Sequence, residues 1–475
     1  MASCDYLFIQ RLPGNRQIPR TIKLQAAHDC GGLYNPEEFP WEIHLYSFRM
    51  PLYFAVAMLF ALGTVHAQTS LELWHGLSGV REQAMTTLVD GFNASQSTYR
   101  VRAMYKEIDP NFVTGVVSAQ RAGRAPHMVH LDQASGQSLA TYRNSIRPVQ
   151  LVLQEASPAL KAPKYLSGVI EPSRDTLGRI VSLPLGASTV AFFLNRELFV
   201  KAGLDPEAKL LTWHDVQAAA LKIIDSEAAG CAFASDWQAW VLIENVLALH
   251  DQQYIEPAGP FSQISKLSFT NRLLVRHVGM LASWATSDIF SYFGPHGEAG
   301  ERFAAGECAM LAGPSSLYPK LSANLGGNLM MLPFPVYDDM SSPQNRSLSS
   351  ANSLWVLAGK PVKEYKGAGL FLAYLSRPEI QAQWHQSTGD LPLTAEAYEI
   401  SRKAGFYVKQ PWAEIPIRST GATGPARKIT PPLPQIGRIR DILDAELEAV
   451  WARHKTAKEA LDDASERSTK LLRGK

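Results

Sequence analysis

The 475-residue chain holds only four cysteines, Cys4, Cys30, Cys231 and Cys308. None forms a CxxC pair or sits beside clustered histidines, which excludes a zinc site and a dithiol redox motif. Basic runs are missing, as is any basic stripe with interleaved aromatics, and the formal net charge is only +2, so nucleic acid is not a partner. There is no GxSxG elbow, no HExxH and no convincing nucleophile with a general base nearby, which argues against a secreted hydrolase. Internal repeats and low-complexity segments are lacking too. What remains is ordinary globular composition, 46% apolar and 19% charged, in a chain too long for one core, so two lobes are expected.

One stretch is continuously apolar: PLYFAVAMLFALGTV, Pro51 to Val65. It is short for a membrane span, and Val65-His66-Ala67 supplies the small-residue pattern at which a signal peptidase cuts. This predicts a signal peptide at 50–67 and a mature chain from Gln68; the alternative is an uncleaved membrane anchor. Residues 1–49 show no clear periodicity and form an unassigned extension, and Met50 is a more plausible translation start than Met1. Cleavage leaves Cys231 and Cys308, which in an oxidising compartment form either one disulfide or two buried thiols.

The mature part alternates strands and helices. Leu71 to Trp74 reads as a strand; Val80, Ala84, Leu88 and Phe92 recur every four residues as the apolar stripe of a helix; Tyr99 to Tyr105 alternates as a second strand. That is a βαβ unit, which implies a parallel sheet. Further strands are expected at 128–131, 190–194, 231–234, 309–311, 329–332 and 353–357, and helices at 213–224, 368–375 and 379–386. Thr456 to Glu459 is a capping box opening a last helix towards Leu472. Residues 415–434, rich in Pro, Gly and Thr, form the one long irregular region.

Several segments, taken in order, resemble a family: LELWHGLSG (71–79), KAGLDPE (201–207), TWHDV (212–216), ASDWQAWVLIEN (234–245), FAAGECAML (303–311), SLWVLAGK (353–360) and QAQWHQSTGDLPLTAEAY (381–398). They are similar to periplasmic solute-binding components of ATP-binding cassette importers of the sn-glycerol-3-phosphate type, within the class of maltose-binding-type proteins. The likeness covers about 70–474. It implies an α/β fold of the two-lobed periplasmic binding protein kind (type II), each lobe a mainly parallel sheet flanked by helices, with ligand in the interlobe cleft. The lobes are placed at 68–187 plus 313–357 and at 188–312 plus 358–475. The partners implied are a small-molecule ligand and the membrane permease subunits of the importer with their ATPase. The protein is expected to be periplasmic and monomeric, with no cofactor, no metal and no catalysis; a sensor presenting ligand to a receptor is indistinguishable from sequence.

The resemblance also assigns site residues. Trp237 and Trp240, three apart on one face of a helical turn, pack against the glycerol part of the ligand, where an indole face covers C–H groups and sheds water; otherwise they are core tryptophans. Ser188, at the crossing between lobes, hydrogen-bonds the ligand, or else its own backbone. Ser315, in GPSS at a predicted helix start, contacts the ligand or is an ordinary N-cap. Arg427, or less well Arg418, faces the phosphate with a guanidinium fork. The cleft glutamate of the family falls near Asp132 or Gln133. Two acids stand where the family has tyrosines, Asp109 and Asp390, and Ser350-Ala351 replace a glycine pair. Extra carboxylates repel a nearby phosphate and favour a cation or polyol. A glycerophosphodiester with a cationic headgroup, such as glycerophosphocholine, satisfies rings, arginine and acids together; a neutral sugar or polyol is the alternative.

Overall fold

The computed structural model describes residues 68–109, 111–160, 163–166, 169–170, 173–175, 177–256, 266–340, 347–420, 433 and 435–473. The unassigned extension 1–49, the expected signal peptide 50–67 and Arg427 lie outside the described residues. No helix among the described residues is long and apolar enough to cross a membrane.

Strand β1 (Thr69–His75) buries Leu71 and Leu73 completely, the period-two signature of a sheet face. The helix Val80–Ser95 lays Ala84, Met85, Leu88, Val89 and Phe92 against it, and β2 (Tyr99–Tyr105) returns parallel to β1. Each of the larger of these buried side chains, Met85, Leu88, Val89 and Phe92, contributes about 1.5–3 kcal/mol. Truncating Leu88 to Ala would leave a cavity costing about 2–5 kcal/mol. The remaining strands are β3 (Met128–Asp132), β4 (Ile146–Arg147), β5 (Ser182–Asn195), β6 (Cys231–Ser235), β7 (Ile255–Glu256), β8 (Lys266–Leu267), β9 (Phe290–Ser291), β10 (Cys308–Pro314), β11 (Leu329–Leu332) and β12 (Ser349–Leu357). Their main order is β2-β1-β3-β12-β5-β10-β6-β9, with β11 added on β5 and β4 on β12.

This sheet has two halves sharing one strand. β1, β2 and β3 run parallel, as do β6, β9 and β10; β12 is antiparallel to β3 and β5, and β10 to β5. The first half of β5 pairs with β12 and the second half with β10 and β11. Sequence periodicity reaches only 190–194 of this strand, because Pro184, Gly186 and Ser188 interrupt the apolar run.

Each half has its own core. Leu71, Leu73, Met128, Leu183 and Leu354 pack with Phe371 and Leu372 of the helix Val362–Leu375 and Trp384 of Pro378–Thr388. Phe192, Phe233 and Met310 pack around Trp213, together with Leu281 of Arg272–Thr286, Leu443 of Ile436–Trp451 and Leu461 of Ala457–Leu472. Two groups of elements pack away from the lobe that the sequence division gives them. The helices Val362–Leu375 and Pro378–Thr388, assigned to the second lobe, pack on the first half-sheet; β11, assigned to the first, pairs within the second. The cause is that Val362–Leu375 packs against β1 and Pro378–Thr388 against β5 and the helix Val80–Ser95, which local periodicity cannot disclose.

Thr456 caps Ala457–Leu472 in a reciprocal box with Glu459, as its sequence predicts. A second box, Thr212 with Asp215, opens the helix Trp213–Asp225. Cys231 and Cys308 are register partners on β6 and β10 and form a disulfide.

Candidate ligand-binding cleft

The parallel strands of the first half end at His75, Tyr105 and Asp132, and those of the second at Ser235, Ser291 and Pro314. β5 threads between the two sets. Gly186 pairs with Asn352, which pairs in turn with Asp132, while Val190 pairs with Pro314. The carboxyl ends of both halves thus converge on residues 186–190 of β5, the place where open α/β sheets bind ligands.

Ser188 sits at this convergence, half-buried, with Ser350 as its register partner on β12. Ser315 is fully buried, and its Oγ accepts the Thr189 N–H at 3.2 Å. The Thr189 hydroxyl donates to Leu348 O (3.0 Å), and Leu348 N–H donates to Asn245 Oδ1 (2.9 Å). Ser315 therefore holds the crossing strand in place. The predicted helix there begins as a single 3-10 turn, Ser315–Leu317, before Tyr318–Leu325.

The two tryptophans part company. Trp237 has a left-handed backbone, φ 48°, so it lies outside the helical run that follows. The residue is 46% exposed, its ring lies tilted by 37° against His296 with centroids 4.8 Å apart, and its backbone N–H donates to His296 O at 2.7 Å. Its carbonyl accepts from Trp240 and Val241 N–H (2.9 Å each) and starts the π-helix Ala239–Glu244. Trp240 is 6% exposed and belongs to the second core. The left-handed backbone at Trp237 separates the two rings, one exposed and the other in the core.

Acids bed this segment. Asp236 is buried; its Oδ1 accepts the Gly300 N–H at 2.7 Å, and its Oδ2 has no partner among the described residues. Burial, opposed by that N–H but reinforced by Glu298 and Glu301, pushes its carboxyl up to about 7. Asp444, which accepts the Ala239 N–H at 3.1 Å, is likewise pushed up to about 7 by burial, with Asp441 and Glu448 adding to it. Tyr292 donates its hydroxyl to Glu448.

On the first half-sheet, Asp109 is exposed and accepts the Asn111 N–H at 2.9 Å. Asp132, also exposed, caps the helix Gln133–Thr141, accepting from the Ser135 N–H (3.0 Å) and hydroxyl (2.6 Å); Gln133 is the half-buried first residue of that helix. Arg440 binds Glu244 through Nε (2.6 Å) and Nη2 (2.9 Å). Burial opposes its charge, but Glu244, with Tyr254 and Asp132 beyond it, keeps the guanidinium firmly protonated. Arg418 is exposed and paired with Glu414.

Asp390 is 2% exposed and spent inward. Oδ1 accepts from Arg81 Nη2 at 2.6 Å and Oδ2 from Trp384 Nε1 at 3.0 Å. His385 Nδ1 donates to the Asp390 carbonyl (2.5 Å), so its Nε2 accepts from the Tyr407 hydroxyl (2.9 Å). An acid facing the ligand freely was the expectation; the structure gives it a cation partner instead. Nothing local to Arg81 marks this pairing, because its partner lies 309 residues away. Beside it are the buried imidazoles of His75 and His130, the latter pushed down to about 3 by burial, with His75 and Arg81 adding to the effect.

A family model described as bacterial extracellular solute-binding protein matches residues 87–413. The chain belongs to that solute-binding protein family. The sn-glycerol-3-phosphate-binding periplasmic protein UgpB of Yersinia pestis is 33% identical over 443 residues, covering 90% of this chain and 97% of that protein. UgpB of Escherichia coli K12 is 33% identical over 440 residues, covering 88% and 96%. Among solved structures, UgpB of Mycobacterium tuberculosis in complex with glycerophosphocholine superposes with a TM-score of 0.70 at 16% identity, covering 86% of this chain and 98% of that one. The GacH receptor of Streptomyces glaucescens gives 0.70 at 17% identity, covering 86% and 99%. At such identities the structures establish the fold, a two-lobed binding protein of the maltose-binding type.

Proposed function

We propose that this solute-binding protein captures sn-glycerol 3-phosphate or a glycerophosphodiester such as glycerophosphocholine in the periplasm and hands it to the permease of an ABC importer, with no chemistry of its own. The lobes are read as the two half-sheets with their cores, hinged where β5 and β12 cross. Ligand binding favours the closed arrangement because only that arrangement brings both sets of strand ends onto one solute. The observation that carries this reading is the half-exposed Trp237, set just past the carboxyl end of β6 in the second half-sheet, in a chain 33% identical to UgpB proteins over 90% of its length. Acids around Trp237, including Glu298 and Asp441, suit a quaternary ammonium headgroup, since a cation gains from both the ring face and the carboxylates.

A neutral sugar or polyol is the second reading, favoured by the exposed carboxylates of Asp109 and Asp132, which accept from hydroxyls. A thermal-shift titration of the purified protein separates the two. A ligand bound only by the folded state raises the melting temperature. Glycerophosphocholine is expected to give the largest rise, glycerol 3-phosphate a smaller one, and maltose none; a response confined to the sugar refutes the proposal.

A further inference from the structure

Arg427 lies outside the described residues, and Arg418 is bound to Glu414 on the surface. If the ligand carries a phosphate, a cation near the strand ends must meet it. We propose that Arg81 is the phosphate-contacting guanidinium and that Asp390 is its fixed counter-ion, an orienting group and not a ligand contact. The inference rests on the phosphate-bearing ligand proposed above and names a residue that fixes specificity for it.

Position comes first. Arg81 lies in the first turn of Val80–Ser95, just past the carboxyl end of β1, beside the buried His75 and His130. Its guanidinium reaches across to Asp390, whose carboxylate rests directly on Gly186: a Cβ there would stand 2.2 Å from Oδ2. Gly186 and Ser188 lie two apart on one strand and so share a face. The guanidinium and the Ser188 hydroxyl are thereby brought to the same side of the crossing strand.

Donor accounting comes second. A guanidinium offers five N–H groups. Among the described residues Arg81 spends one, on Asp390 Oδ1, and its buried Nε has no partner; the side chain is 26% exposed. Both oxygens of Asp390 are already engaged, one by Arg81 and one by the Trp384 N–H. The carboxylate thus holds the guanidinium by one Nη without presenting itself to solvent, and the other Nη has no partner among the described residues, which leaves it free for a second anion.

Two other cations among the described residues are committed. Arg440 is held by both oxygens of Glu244, and Lys106 lies over the Trp74 ring at 5.1 Å. The His130 imidazole beside Arg81 is neutral, and among the described residues no carboxylate other than Asp390 pairs with Arg81.

The test is calorimetric titration of the whole protein with sn-glycerol 3-phosphate and with glycerophosphocholine at two salt concentrations. Arg81→Gln alone leaves a buried carboxylate unpaired, so the principal variant is the double change Arg81→Gln/Asp390→Asn, which neutralises both partners. It is expected to melt within a few degrees of the parent, to bind both ligands at least tenfold more weakly, and to lose most of the salt dependence of binding. Arg81→Lys, which keeps the charge but not the fork, is expected to bind severalfold more weakly with unchanged melting; it carries the test if the double variant does not fold. Parent-like affinity in either folded variant overturns the role of Arg81 while leaving the proposed function standing. If the parent itself binds neither phosphate ligand but does bind a neutral sugar, the function and the inference fall together.

Discussion

Gly186 and Asp390 touch so closely that no side chain fits between them: a Cβ on residue 186 would lie 2.2 Å from Asp390 Oδ2 and 3.0 Å from Trp384 Nε1. The crossing strand must be bare at that point for the Arg81 ion pair to sit on it. Gly186→Ala is therefore expected to displace the carboxylate, to cost about 1–3 kcal/mol as other overpacked sites do, and to weaken ligand binding. Denaturant melts and titration of the same variant check both. Parent-like stability would show that the loop at 389–391 moves aside freely.

Trp237 and Trp240 predict opposite phenotypes. Trp240→Ala removes a core ring and should cost about 3–5 kcal/mol. Trp237→Ala removes an exposed one, so stability should change by less than about 1 kcal/mol while affinity falls at least tenfold. Unfolding and binding measured side by side decide it, and a Trp237→Ala protein that binds normally contradicts the cleft assignment.

The Cys231–Cys308 disulfide closes a separation of 77 residues between neighbouring strands. Replacing both cysteines with Ala should lower stability by about 3–4 kcal/mol, mainly by releasing the unfolded chain. Ligand affinity should not change, because both sulfurs lie in a core under the second half-sheet. Urea titrations of the two proteins give the comparison, and equal midpoints would contradict it.

Asp236 and Asp444 give the stability a pH dependence of definite sign. Their folded-state carboxyls titrate near 7, above the ordinary value of 3.8. The folded state holds these protons more tightly than the unfolded one, so stability is fullest below about pH 4 and falls as pH rises to about 7. The loss is at most about 1.4 kcal/mol per pH unit for each group. His130 and His277, pushed down to about 3 by burial, act in the opposite direction between about 3 and 6.5. The informative quantity is therefore the difference between Asp236→Asn and the parent. The variant should gain stability relative to the parent between pH 4 and pH 8 in melting scans, and a constant difference would rule the effect out.

Much of the scaffold could be read from residue order. The strands at 99–105 and 329–332 coincide with their predicted limits, and the helix predicted at 213–224 is one residue longer, because each carries apolar residues, alternating, continuous or helically spaced, that become buried. The capping box at Thr456 needed only four adjacent residues. What escaped prediction depends on contacts between distant segments. Nothing near Arg81 announces Asp390, and the packing of Val362–Leu375 on the first half-sheet is settled by β1, nearly 300 residues earlier in the chain. The fate of the tryptophans escaped for a local reason: a positive φ at a bulky residue is unfavourable, and only the surrounding fold, here the His296 carbonyl and ring, holds Trp237 there.

Because β5 is one unbroken strand serving both half-sheets, neither can melt without tearing hydrogen bonds from the other. Heating should produce a single calorimetric peak, whose van't Hoff and measured enthalpies agree, where two independent domains would give two. A tether pulled from opposite ends of that strand would load both cores at once, and the molecule would yield as one mechanical unit.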